Sequence, residues 1–310
     1  MKQYTVGVDV GGTNIKLGLV NRFGTIVEKA VLSTRHVNKS RKRLIDAICI
    51  SILKLIKEKR LAAKDILGIG LGLPGPIDSK RGIVSFLPNI PGWKNVPLKN
   101  ILQKKLHIPT FIDNDVNLIT LGEWKFGAGQ GCRNMMCMTL GTGVGAGLIL
   151  NNDLYRGEGF SAGELGHVPL NEDGPACNCG GWGGFERYVG NTVLLQEASK
   201  VFRNKDIQLP DIYRLAKQGD QRAIRFWEKT AIHIGNALAG VVNLLNLRLI
   251  VIGGGVSKSF KFLDKTIHAT IKARAMKVPA AMVKVVRAKL DDDAGILGAQ
   301  VLVKESVSGR

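Results

Sequence analysis

The stretch "VGVDVGGTNIKLGLV" puts Asp9 at the end of an apolar run, then Gly11, Gly12 and Thr13, then Lys16. A backbone turned through glycine exposes N–H groups that can cradle phosphate oxygens, and a carboxylate beside it can face hydrated Mg2+. The same residues would also make a plain β-hairpin turn. A P-loop is excluded, because no GxxxxGK[ST] string occurs. Two more glycine loops follow apolar strands: "LGTGVGAG", with Gly141, Thr142, Gly143 and Gly145, and "VIGGGVS", with Gly254 and Gly255. None of the three has the full GxGxxG setting of a dinucleotide fold. Their repetition in both halves of the chain suits a nucleotide tail gripped from two sides of a cleft.

Acids and amides supply the second kind of chemistry. "FIDNDVN" sets Asp113, Asn114 and Asp115 where a strand gives way to a helix. A helix N-cap would explain one of them. Asp115 also suits a general base that takes the proton of an alcohol during phosphoryl transfer, with Asn114 as a hydroxyl-binding amide. Glu164 and His167 in "GELGH" and Glu186 in "GGFER" could pair with neighbouring hydroxyls of a polyhydroxylated ligand, or each could simply tie down its own loop. His167, Cys177 and Cys179 offer three soft ligands for zinc, whereas a structural zinc wants four. Free thiols in a reduced cytoplasm are the alternative.

These residues need a scaffold of two halves. Apolar runs at 4–10, 15–21 and 25–32 predict an antiparallel meander, and a helix-spaced face at 40–60 follows it. A strand is predicted at 66–75, then a Pro-rich loop, a helix in "PLKNILQKKLH" and a strand in "PTFIDNDVN". The pattern restarts at 134–157 as strand, glycine turn, strand, and continues with helices near 186–202, 210–218, 220–246, 258–274 and 294–304. Strands in "LRLIVIGGG" and "MVKVVRA" fall among them. The expectation is an α/β fold of two related domains around a cleft.

With 310 residues, 45% of them hydrophobic, the chain can bury a sizeable core, and no apolar run offers a clean membrane span. The odd count of 5 cysteines argues against a disulfide framework, and the N-terminus lacks an export signal, so a cytoplasmic location is expected. The net charge of +19 could attract polyanions, but the basic residues are dispersed and form no nucleic-acid-reading motif. No specific nucleic-acid partner is expected.

Taken in order, "DVGGTNIKLGL", "GLGLPGPID", "PNIPGW", "DNDVN", "LGTGVGAGLIL", "GELGHVPL", "CNCGGWGGFE" and "VIGGGVS" resemble the ROK family of repressors, open reading frames and sugar kinases. The resemblance implies two actin-like ATPase (ribonuclease H-like) domains flanking an active-site cleft, at 1–117 and 118–293, with a C-terminal helix from about 294 to 310 packed back on the first. It implies an ATP- and Mg2+-dependent kinase of the glucokinase type, acting on the 6-hydroxyl of a hexose, and a homodimer. Kinases of N-acetylhexosamines, fructose or allose are the alternatives, as is a sugar-responsive regulator, although little chain precedes Asp9 to form a DNA reader.

By that resemblance Asp9, Gly11, Gly12, Thr13 and Lys16 form the first phosphate loop, and Asp9 meets Mg2+ through water. Thr142 and Gly143 serve the second loop, with Gly254 and Gly255 near the adenosine. Sugar hydroxyls meet Gly75, Asn89, Asn114, Asp115, Glu164, His167 and Glu186, with Asp115 as base. The family's zinc motif runs C-x-C-G-x-x-G-C-x-E, and here Gly184 stands where its third Cys would be. The set of His167, Cys177 and Cys179 is therefore incomplete, and hydrogen bonding and packing around Trp182 are expected to hold the loop in place of the metal.

Overall fold

Alternating apolar residues at the N-terminus fold into β1 (Tyr4–Val10), β2 (Asn14–Asn21) and β3 (Ile26–Ser33), each antiparallel to its predecessor. The computed structural model describes residues 3–34, 40–87, 92–177 and 179–309. Helix α1 (Arg41–Glu58) buries Leu44, Ile48, Ile52 and Leu55, and its N-cap Ser40 accepts from the Arg43 N–H. Strand β4 (Ile66–Leu73) then returns parallel to β1. The stretch expected to be a Pro-rich loop instead builds a small sheet of β5 (Ile77–Asp78), β6 (Ile83–Phe86) and β7 (Lys94–Val96). Strands this short carry too little alternation to stand out beside Pro and Gly. After α2 (Leu98–Leu106), β8 (Thr110–Asn114) completes a five-stranded sheet in the order β3-β2-β1-β4-β8.

Helix α3 (Asp115–Phe126) leads to the second half, where β9 (Met135–Leu140), β10 (Val144–Leu150) and β11 (Asp153–Tyr155) form another meander. Where one helix is expected over 186–202, α4 (Glu186–Val189) and α5 (Asn191–Phe202) are separated by the extended backbone of Gly190. Helices α6 (Leu209–Lys217) and α7 (Gln221–Leu245) follow, then β12 (Leu249–Gly253), α8 (Phe260–Arg274), the unexpected short α9 (Lys277–Met282) and β13 (Lys284–Arg287). The second sheet runs β11-β10-β9-β12-β13, with β12 parallel to β9 and β13. Each half thus repeats one topology: a three-strand meander extended by two parallel strands.

Helix α10 (Ala294–Val307) closes the chain and crosses α3 at close range. A Cβ at Gly298 would collide with the Leu118 carbonyl, and one at Gly122 with the Ala294 carbonyl. On the first sheet, α10 lies against Gly7 and Gly70 through the backbone of Ile296 and Ala299. Helix α3 meets the second sheet, because Val116 packs on Gly145 and Thr120 on Gly147. The expected division at 117–118 falls inside α3. Between the two main cores, a third joins Leu118, Leu121 and Trp124 of α3 to Met135, Ile149 and Val251 of the second sheet and Val301 and Leu302 of α10.

One buried ion pair also spans the halves. Arg156, just beyond β11, donates from Nε to Asp113 Oδ2 on β8 at 2.7 Å, with the Asp113 side chain only 2% exposed. Asn117 Nδ2 donates to the other oxygen of Asp113 at 2.8 Å. A buried carboxylate so fully satisfied fixes the strand end from which Asp115 departs.

Candidate active site

Asn114 ends β8 and caps α3: its Oδ1 accepts from the Val116 N–H at 2.9 Å and the Asn117 N–H at 3.3 Å. Its Nδ2 donates to the Gly75 carbonyl at 3.2 Å, leaving a second N–H for a hydroxyl. The cap explains Asn114, and the next residue is then presented from the first turn of the helix. Asp115 accepts from the Val116 N–H at 2.9 Å. Its carboxyl is pushed up to about 7, first by burial, then by the charge of Asp9, with Glu164 adding to both. Acids from three places therefore converge: the end of β1, the start of α3 and the loop beyond β11.

Asp9 is raised as well, chiefly by burial; Lys16 opposes the shift and Asp292 adds to it. Its Cγ lies 3.0 Å from where a Gly295 Cβ would stand, so the carboxylate rests on the first turn of α10, where the helix dipole favours negative charge. Lys16 is not the free cation that its place beside the loop suggests. Its Nζ bonds Asp292 Oδ1 at 2.6 Å.

The first glycine loop is tied from behind. Thr34 donates from Oγ1 to the Gly12 carbonyl at 2.8 Å and from its backbone to the Thr13 carbonyl at 2.9 Å, while Gly12 and Thr13 remain exposed. A Cβ at Gly12 would meet nothing within 4 Å, so the protein's own packing does not require glycine there. In the second loop Thr142 and Gly143 are exposed, and the Val144 N–H donates to Glu186 Oε2 at 2.8 Å. The Asn191 N–H, at the start of α5, donates to the Gly141 carbonyl at 2.9 Å. Gly254, with φ +81, lies directly against the Leu140 backbone, so the third loop underlies the second. Gly255 faces Asn191 Nδ2 at 3.9 Å from an ideal Cβ.

Glu186 is thus committed to the second loop through one oxygen, a role that its expected place among sugar ligands did not include. His167 and Glu164 do face each other, with Nε2 and Oε2 3.7 Å apart. Asn89 lies outside the described residues. Sequence reading missed Asp292, which engages Lys16, and Arg156, which anchors Asp113. Neither carries a local signal, since each is brought to its partner by tertiary structure alone.

Among the described residues, His167, Cys177 and Cys179 form the one group whose donor atoms are placed to share a metal, all within 4.8 Å of one another. A closed structural zinc needs a fourth ligand. Position 184 points that way, because a Cβ on Gly184 would stand 3.7 Å from Cys177 Sγ, but glycine brings no donor. The set does not fit such a site. Trp182 does not replace the metal by packing either, being 65% exposed. Backbone bonds hold the loop instead: Cys177 N–H to Gly181 O at 2.8 Å, Gly183 N–H to Pro175 O at 2.9 Å and Phe185 N–H to Val168 O at 2.9 Å.

Residues 5–306 match the ROK family. The chain belongs to that family. This ROK protein is 33% identical over 317 residues to the glucokinase of Thermotoga maritima, covering 98% of each chain. Its fold superposes on the crystal structure of a ROK family glucokinase from Streptomyces griseus in complex with glucose and AMPPNP, with a TM-score of 0.85, 30% identity and coverage of 97% and 99%. It is also 29% identical over 301 residues to the xylose repressor of Bacillus subtilis, covering 97% of this chain and 77% of the repressor. No helix among the described residues is long and apolar enough to cross a membrane.

Proposed function

We propose that this ROK protein is an ATP-dependent hexokinase that transfers the γ-phosphate to the 6-hydroxyl of glucose. The observation that carries this reading is Asp115, a carboxyl poised at about 7 where Asp9 and Glu164 converge on it. A general base works best when its pKa lies near the working pH, and phosphoryl transfer to an alcohol needs such a group. The likeness to glucokinases at about a third identity over almost the whole chain supports glucose as the first sugar to test.

In this reading Asp115 takes the proton from O6 as the O6–Pγ bond forms and the bond from Pγ to the bridging oxygen of ADP breaks. Asn114, Glu164 and His167 orient the sugar with Gly75 and Asn89, and Glu186 works from beneath the second loop. Gly12 and Thr13 turn backbone donors to the phosphates, with Lys16 beside them, while the Gly11 N–H is spent on the Asn14 carbonyl at 3.0 Å and closes the turn. Thr142 and Gly143 serve from the other half, and Gly254 and Gly255 accommodate the adenosine. The half-buried Asp9 fits a magnesium site, because its charge already strains against that of Asp115. It would hold Mg2+ through water, and the bound ion supplies neutralisation of phosphate charge. Closing the halves, taken as 1–117 and 118–293 with the C-terminal helix on the first, would keep water from the donor phosphate. The protein acts in the cytoplasm as a homodimer.

Coupled ADP release across a panel of hexoses and N-acetylhexosamines tests the reading. Glucose should give the highest kcat/KM, and Asp115→Asn should abolish most of that turnover while glucose binding persists. ADP release no faster with any sugar than without one would sink the proposal. Light scattering on the eluting peak tests the dimer.

A further inference from the structure

Gly184, beside His167 and Cys177, is where this chain departs from the family's metal motif, and the departure has a chemical answer at His167. A neutral imidazole has one N–H and one bare nitrogen, and the partner of one nitrogen decides what the other can do. His167 Nε2 points to the carboxylate of Glu164, 3.7 Å away. A sugar hydroxyl touching both could accept from Nε2–H while donating to Glu164, but only if the proton sits on Nε2. Something must therefore cover Nδ1. A metal ion on Nδ1 would enforce that tautomer, but the donor set lacks its fourth member at Gly184.

The atom that does face Nδ1 is Cys177 Sγ, at 3.4 Å. Cys177 is buried, which favours the protonated thiol over the thiolate, whereas Cys179 is exposed. The strand-like ribbon around it closes through Pro169 pairing with Gly184 and Ala176 with Trp182, so its position does not depend on a metal. We infer that Cys177 is a positioning residue, whose S–H donates to His167 Nδ1 and so presents Nε2–H to the sugar, doing without zinc what a metal ion would do at the same nitrogen. The consequence for the sugar rests on the kinase reading above; the tautomer itself does not.

Elemental analysis of the intact protein after gel filtration should find zinc far below one per chain, and chelation should leave the KM for glucose unchanged. Nitrogen-15 NMR of the histidine rings should show His167 as the Nε2–H tautomer. Cys177→Ala should mix the tautomers and raise the KM for glucose roughly three- to tenfold, the size of one lost neutral hydrogen bond, while the KM for ATP stays put. Cys179→Ala should leave the Nε2–H signal in place, which separates a thiol donor from a metal site that needs both sulfurs. Gly184→Cys should bring zinc to one per chain by completing the ligand set. Stoichiometric zinc in the unaltered protein, or an unchanged His167 tautomer in Cys177→Ala, overturns the inference. Because zinc content and tautomer are read without sugar, failure of the glucose assay would count against the kinase reading and leave these outcomes separate.

Discussion

The two glycine loops stand at matching places in two sheets of the same topology, yet they are built differently. In the first, Asp9 lies two residues before Gly11 and pairs across the hairpin with Lys16; in the second, Thr139 lies two residues before Gly141 and pairs with Gly145. One hairpin carries an acid and a base where the other carries a hydroxyl and no side chain. The supports differ too. Neutral Thr34 ties the first loop, while the carboxylate of Glu186 holds the second through the Val144 N–H. Repeating a fold therefore supplies the cradle twice, and charged side chains within the hairpin itself are placed at one copy only, next to Asp115.

That asymmetry predicts the largest difference between equivalent substitutions. Asp9→Asn should lower kcat by roughly 10²–10³, because it removes charge fixed where the transferring phosphoryl group must be stabilised. Thr139→Val, the matching change in the second half, should stay within about threefold, as a substitution away from any charge or hydrogen bond usually does. Steady-state kinetics on both variants decides the matter. Equal losses would mean that the two hairpins share the charge chemistry after all.

Glycines separate the loops in a second way. A Cβ at Gly254 would strike the Leu140 backbone, and its φ of +81 is strained for any other residue. Gly254→Ala should then cost about 3 kcal/mol or more in chemical denaturation, as overpacking against backbone and left-handed strain combine. Gly12→Ala has open space around it and no left-handed φ, so stability should hold within about 0.5 kcal/mol. Its effect should instead fall on nucleotide affinity, read by calorimetry. Loss of stability without loss of affinity would show that Gly12 serves the fold and not a ligand.

How much of this was legible beforehand follows the same division. The meanders, α1, α7 and α10 were readable because their periodicity is long and their apolar faces are continuous. The sheet of β5, β6 and β7 was not, since strands of a few residues among Pro and Gly leave no period to detect. At the site, Asp9 and Asp115 stood out because each is an acid next to a turn or helix start. Asp292 and Arg156 did not, since |i−j| is 276 from Lys16 to Asp292 and 43 from Asp113 to Arg156. Glu186 was identified as a functional acid, but which N–H it would hold depends on how α4 docks beside β10.

Glu186→Gln probes that docking. The amide still accepts from the Val144 N–H, though without charge, so the second loop should loosen by about 1 kcal/mol, the margin between charged and neutral acceptors. The KM for ATP should rise severalfold while the first loop's contribution to kcat persists. A change confined to the KM for sugar would place Glu186 on the sugar and not beneath the loop.

The smallest effect concerns stability and pH, and it follows from the acids facing one another in the first half. Burial, with the charge of Asp9, pushes the Asp115 carboxyl up to about 7 in the folded protein, from the 3.8 of a solvated aspartate. Between those values the folded state holds a proton that the unfolded state has released, so stability declines as pH rises through the window and levels off above it. Asp115→Asn has no such proton to lose. Its melting temperature relative to the unaltered protein should therefore climb from pH 4 to pH 7 by roughly 2 °C or more, and then stay flat. Thr139→Val should give an offset that does not vary with pH. Asp9→Asn should fall between them, because removing the charge that helps raise Asp115 lowers the upper edge of the window. If its pH dependence matched that of the unaltered protein, burial alone would account for Asp115, and the pairing of the two acids would carry none of the shift.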